Sequence, residues 1–421
     1  MSKYPSDWLS KPLGKVYPKI VVGYVGNVND HYCRAEEGVP FYRTLNIRDG
    51  YFRHSEHLYV THEFNEKNKK SQITNNDILI ARVGANLGMV CKANGISGLA
   101  NMANAIIIKT NDVNSADADF YTSFLLSPMG KNQIYSGAAG GAQGVFNTKL
   151  TQEIIVPVPP LPEQRKIAQI LSTWDRGIAT TEKLIDASKQ QKKALMQQLL
   201  TGKKRLVDPE TGKAFEGDWQ EVKLSKLFAR VTEKNKGQST NVVTISAQHG
   251  LIRQEEFFKK SIASETLDNY FILRKGQFAY NKSYSNGYPM GAIKRLNRYD
   301  DAVVTSLYIC FEIKNSAHTS SCFMEQYFES GLLNRGLTKV AAEGGRAHGL
   351  LNVKPTDFMG LALVVPEIKE QQRIASVLTA ADKEIELLAA KLAHLKQEKK
   401  ALMQQLLTGK RRVMVAETEA A

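Results

Sequence analysis

Two glycine-rich segments, GGAQGVFN at 140–147 and GGRAHGLLN at 344–352, carry polar groups suited to touching a nucleic acid. Glycine lets a backbone approach another surface closely, and Gln143, Asn147, Arg346 and His348 offer donors and acceptors for base edges or phosphates. The other reading of each is a surface turn ahead of a last strand. Neither is a phosphate loop of nucleotide hydrolases, since no Gly-Lys-Ser or Gly-Lys-Thr follows. A second pair of candidates follows apolar strands: Arg82 and Asn86 in ILIARVGANLG, and Tyr280, Asn281, Lys282 and Tyr284 in FAYNKSYSNGYPMG. Cations interleaved with aromatic and amide groups suit phosphate contact and base stacking. A packed hairpin with a snorkelling lysine would use the same residues.

These candidates lie in two stretches that a repeat brackets. KKALMQQLLTGK occurs at 192–203 and again at 399–410, and the offset of 207 holds without a gap over 159–205 and 366–412. Of those 47 positions 23 are identical, so the protein is built from two similar halves. Asp218-Trp219 echoes Asp7-Trp8 at the start of each half, while the middles have diverged.

Each repeat copy reads as one long helix. Proline stops regular structure at VPVPPLP, and Pro162 suits a first helical position. Apolar positions then alternate at spacings of four and three, the period of a coiled coil. In the first copy the seam includes Ile167, Leu171, Trp174, Ile178, Leu195 and Leu199, with Thr181 and Ser188 as polar members. In the second it includes Ile374, Leu378, Ile385, Leu388, Leu392, Leu402 and Leu406. A partly polar seam makes a poor homodimer core, so each helix is expected to pair antiparallel with the other copy in the same chain. Lys192 and Lys399 fall on the seams, where they either set register or mark frayed ends. Gly202 and Gly409 are the expected C-caps.

The formal charge of +14 points to a polyanionic partner. Cys33, Cys91, Cys310 and Cys322 never approach CxxC spacing, which argues against a zinc site or disulfide framework and for buried thiols. No apolar run approaches the ~20 residues of a membrane span, and the expected compartment is the cytoplasm. HExxH, GxSxG and the Asp/Asn-Pro-Pro-Tyr motif of adenine methylation are all missing. No chemistry is expected from this chain alone.

This layout resembles the DNA-specificity subunit of type I restriction–modification systems. The resemblance spans nearly the whole chain and rests on the boundaries Pro159-x3-Glu163-Gln164 and Pro366-x3-Glu370-Gln371, each leading into a helix that ends LLTGK. The variable segments GQFAYNKSYSNGYPMGAIKRL and NDILIARVGANLG also look like target-recognition domains. The resemblance implies an α+β protein with a pseudo-two-fold internal repeat. Recognition domains at 1–158 and 206–365 would be separated by spacer helices at 159–205 and 366–413 that form an antiparallel coiled coil, with a flexible tail at 414–421. Each recognition domain would read one half of an asymmetric bipartite site on double-stranded DNA, and the helices would set the gap. Two modification subunits would dock on the helices and supply S-adenosylmethionine, so this chain binds no cofactor or metal. Two motor–nuclease subunits join where the system also cleaves. A coiled-coil adaptor with protein-binding heads is the alternative, and a methyltransferase with an unusual site is a third reading.

Overall fold

The computed structural model describes residues 4–111, 113–139, 145–258, 266–341 and 351–415. Compactness divides the chain into two units: Met1–Glu182 with Lys391–Ala421, and Lys183–Ala390. Each unit therefore combines one variable segment, the start of one long helix and the end of the other.

The two units repeat one sheet. In the first unit a four-stranded antiparallel sheet runs in the order Ile20–Val22, Ala105–Ile108, Ile78–Ala81, Val90–Lys92. In the second unit the order is Phe228–Val231, Ile309–Ile313, Phe278–Asn281, Ala292–Arg295. These strands are buried on both faces, and period-two alternation sends successive side chains to separate cores. Ile78, Ile80, Ile106 and Ile108 face the helices of the first unit, whereas Leu79, Ala81, Cys91, Ala105 and Ile107 face a second cluster. Likewise Phe278, Tyr280, Ile309 and Phe311 face the helices of the second unit, and Ala279, Cys310 and Ala292 the other side.

Burial on the far face pushes the Cys91 and Cys310 thiols up to about 12, so both are inert fillers. The expectation of four buried thiols fails elsewhere: Cys33 is half-buried and Cys322 is exposed.

A short antiparallel pair closes each variable segment on itself, Leu9–Pro12 with Ile155–Val158 and Gln220–Lys223 with Ala362–Val365. The closing strand leads at once into a long helix, Leu161–Leu199 in one half and Ile368–Leu406 in the other. With 39 residues each, these rods are about 58 Å long.

The two long helices form an antiparallel coiled coil. Within the first unit Lys396 pairs with Glu182 and Lys399 with Asp175; within the second, Lys192 pairs with Asp382 at 2.5 Å and Ser188 bonds Glu384. Partner numbers run in opposite directions, as antiparallel pairing requires. Asp175 and Asp382 are repeat-equivalent, so both seam lysines solve their desolvation problem with the same carboxylate. At both positions the structure has the ion pair that the register-setting reading calls for.

Ile167, Leu171 and Leu406 are buried in the core of the first unit, and Leu199, Ile374 and Leu378 in that of the second. These six hold their own unit together and cannot present a docking surface. Trp174, Ile178, Leu195, Ile385, Leu388, Leu392 and Leu402 are half-buried along the seam.

Gly202 and Gly409 end the helices with φ of 69° and 67°. Gly409 is also fixed by proximity, since a Cβ there would lie 2.5 Å from Pro5. Among the described residues no helix is long and apolar enough to cross a membrane.

Candidate nucleic-acid interface

The boundary motif works as a latch. Glu163 is 4% exposed and accepts from Trp8 Nε1 at 3.0 Å and from Arg412 at 2.7 and 2.8 Å. Glu370, 2% exposed, accepts from Trp219 Nε1 at 3.2 Å and from Arg205 at 2.7 and 2.8 Å. A planar guanidinium fork satisfies both carboxylate oxygens, which is the condition for burying the charge. Arg412 also forks onto Asp7, and these two carboxylates raise its pKa.

The neighbouring glutamine fixes the variable segment. Gln164 accepts from the backbone of Asp117 at 2.9 Å, and Gln371 from that of Ser320 at 2.9 Å. Asp117 and Ser320 cap the helices Ala118–Leu126 and Ser321–Glu329. Sequence reasoning used the Glu-Gln pair only as a boundary. Its identity in both repeat copies, together with Arg205 and Arg412, was the available signal.

The candidate loops converge in the same way in each unit. Phe146 N donates to Arg82 O at 3.1 Å, and Leu351 N donates to Lys282 O at 3.0 Å. The chain leaving each glycine-rich segment is thus tied to the loop that follows the third strand of the sheet. Arg82 and Lys282 are half-exposed, and Tyr284 is 64% exposed. Gln143, Arg346 and His348 lie outside the described residues.

Several candidates have local duties instead. Tyr280 is buried with its ring stacked on Phe358 at 4.9 Å and its hydroxyl donating to Met290 O at 2.8 Å. It has no face to offer a base, because it lies on the strand face that fills the core. Asn147 caps the helix Thr148–Glu153, accepting from Leu150 N at 3.0 Å. Asn281 Oδ1 accepts from Ser283 N at 3.0 Å and shapes the turn. Asn86 Oδ1 accepts from Arg48 Nη1 at 2.9 Å, and its amide nitrogen donates to Thr44 O at 3.4 Å. Tyr288 is held by Glu329 and by Lys294, and burial raises its hydroxyl pKa.

A hollow of about 530 Å³ in the first unit is lined by Lys19, Lys69, Lys70 and Lys109, of which Lys109 is paired with Asp77 and Lys69 with Glu66. Among the described residues no group of His, Cys, Asp and Glu could hold a metal ion.

Residues 5–189 match the family model for the type I restriction modification DNA specificity domain. Residues 5–189 thus carry a type I DNA-specificity domain. The chain is 24% identical over 402 residues to the type I restriction enzyme MjaVIII specificity subunit of Methanocaldococcus jannaschii, covering 89% of this chain and 86% of the relative. It is 23% identical over 263 residues to the EcoKI specificity subunit of Escherichia coli, covering 60% of this chain and 54% of the relative. Among solved structures, the type I system S subunit from M. genitalium superposes with a TM-score of 0.54 at 14% identity, covering 95% of this chain and 96% of that one. A chain from a structure of type I restriction–modification complex assembly gives 0.56 at 14% identity, covering 98% and 100%. At these identities the superpositions speak for the fold.

Proposed function

We propose that this chain acts as a DNA-specificity subunit that reads an asymmetric bipartite DNA site, one half with each variable segment, and that the coiled coil sets the gap. The observation that carries this reading is one framework holding two different surfaces. The sheet order, the latch and the loop–carbonyl bond recur in both units, whereas the residues on the loops differ. Unlike loops on like frames read unlike half-sites. The charge of +14 supplies sequence-independent attraction to phosphates. Two modification subunits dock on the helices and carry S-adenosylmethionine for adenine N6 methylation, and two motor–nuclease subunits join where the system cleaves.

The experiment is a DNA-binding titration across salt concentrations with the assembled complex. Affinity falls steeply with salt if phosphates are engaged, and a coiled-coil adaptor would show no such slope. Arg82→Ala and Lys282→Ala are each expected to weaken binding by about 1–3 kcal/mol if they read bases. Unchanged affinity at physiological salt would remove that residue from the interface.

Leu184 and Leu387 stand 49% and 63% exposed on the long helices. They are the contacts we assign to modification-subunit docking. Leu184→Asp with Leu387→Asp should abolish co-purification of the modification subunit at an unchanged melting temperature. Full co-purification would place docking elsewhere.

A further inference from the structure

We propose that Arg48 is a base-reading side chain of the first variable segment, with Asn86 as its support, and that it reads a guanine. The inference rests on the DNA-reading role proposed above and names a residue that the sequence patterns did not single out.

Arg48 lies on a two-residue strand that pairs with Tyr51–Phe52, opposite Tyr51, which is 57% exposed. The hairpin is fixed from several directions. Asp49 Oδ1 accepts from Val90 N at 3.0 Å and Lys131 Nζ at 2.5 Å, and Gly50 N donates to Val90 O at 2.9 Å. At its base the buried Asn46 side chain donates to Arg53 O and Ser55 O, both at 2.9 Å, and accepts from Arg43 N at 2.8 Å. The tip is therefore held in place before any ligand arrives.

The guanidinium is held too. Arg48 Nη1 donates to Asn86 Oδ1 at 2.9 Å and touches Met89 Sδ at 3.7 Å. Asn86 is itself anchored to Thr44 O at 3.4 Å, so its amide is committed at both ends. Among the described residues no carboxylate pairs with Arg48, and none of its nitrogens is buried without a partner. Arg48 is half-buried, and its remaining donors keep some exposure to solvent.

An arginine gives up much of its rotamer freedom when it is fixed in this way. Here that cost is met in the free protein, without the ion pair that usually repays it. The arrangement suits an external partner with two acceptors in one plane. Guanine offers O6 and N7 in the major groove, and arginine meets them as a fork. The same fork also fits a phosphate, and letter dependence and salt slope tell the two apart.

The test is a methylome of the host expressing the full chain with its modification subunit, alongside oligonucleotide competition with the purified complex. The wild-type target should contain a guanine in one half-site whose replacement weakens binding about tenfold to a hundredfold. With Arg48→Ala or Arg48→Met that one letter becomes degenerate, while the other half-site and the gap are unchanged. Asn86→Ala relaxes the same letter less. The Met variant keeps the apolar stem, so it covers the case in which the Ala variant fails to fold. Unchanged letters with either variant would overturn the proposal. So would an equal loss on every competitor, with a salt slope reduced by about one, which marks a phosphate contact. A wild-type complex that methylates no split motif would strike the bipartite reading itself and not this assignment alone.

Discussion

Removing one heptad from each long helix, 185–191 and 392–398, should bring the two half-sites closer by about three base pairs and leave their letters intact. Seven residues contribute about 10.5 Å of helix, and one base pair rises about 3.4 Å. The cut is matched because 185 and 392 are repeat-equivalent. Equal numbers of residues separate Asp175 from Lys192 and Asp382 from Lys399, so both seam ion pairs survive an equal deletion. A whole heptad also preserves the seam period. Removing the heptad from one helix alone puts the two rods out of step, and should lower the melting temperature and cut methylation. The measurement is the methylated motif of each variant. Changed letters at an unchanged gap would refute the spacer role.

The second large effect is expected from Arg205→Ala. It leaves Glu370, 2% exposed, with only the Trp219 indole at 3.2 Å. Stranding a buried carboxylate should cost about 3 kcal/mol, or about 6–12 °C in melting temperature for a unit of this size. The arginine also donates to Gly217 O at 3.0 Å and Glu216 O at 3.2 Å, so Arg205→Lys should rescue only part of the loss. Lys369→Ala is the control. Its ion pair with Glu210 leaves both side chains about two-thirds exposed (65% and 69%), and its loss should not move the melting temperature. Calorimetry that finds Arg205→Ala as stable as the parent would show the latch to be incidental.

The coiled coil was legible because its signal is local and periodic. An apolar seam repeated over five heptads can be read without knowing the partner, and a gapless repeat supplies the partner. The base-facing residues were harder to read, and the reason differs from case to case. Tyr280 looked like a stacking residue among Lys282 and Tyr284, but FAYN is a strand buried on both faces and alternation sends Tyr280 inward. Asn86 and Asn147 have side chains that suit base edges and backbone turns equally, and local hydrogen bonds claimed both. Arg48 gave no sequence signal because its orientation depends on Asn86, 38 positions away. Glu163 and Arg412 are 249 positions apart, so identity in both copies marked them as shared without saying that they meet.

The most direct test of the account is the host methylome with this chain and its modification subunit co-expressed. The account predicts one asymmetric split motif carrying modified adenine, with a constant gap, that disappears when this chain is omitted. No new methylation from a demonstrably assembled complex, or a motif that is continuous or has a variable gap, would contradict it.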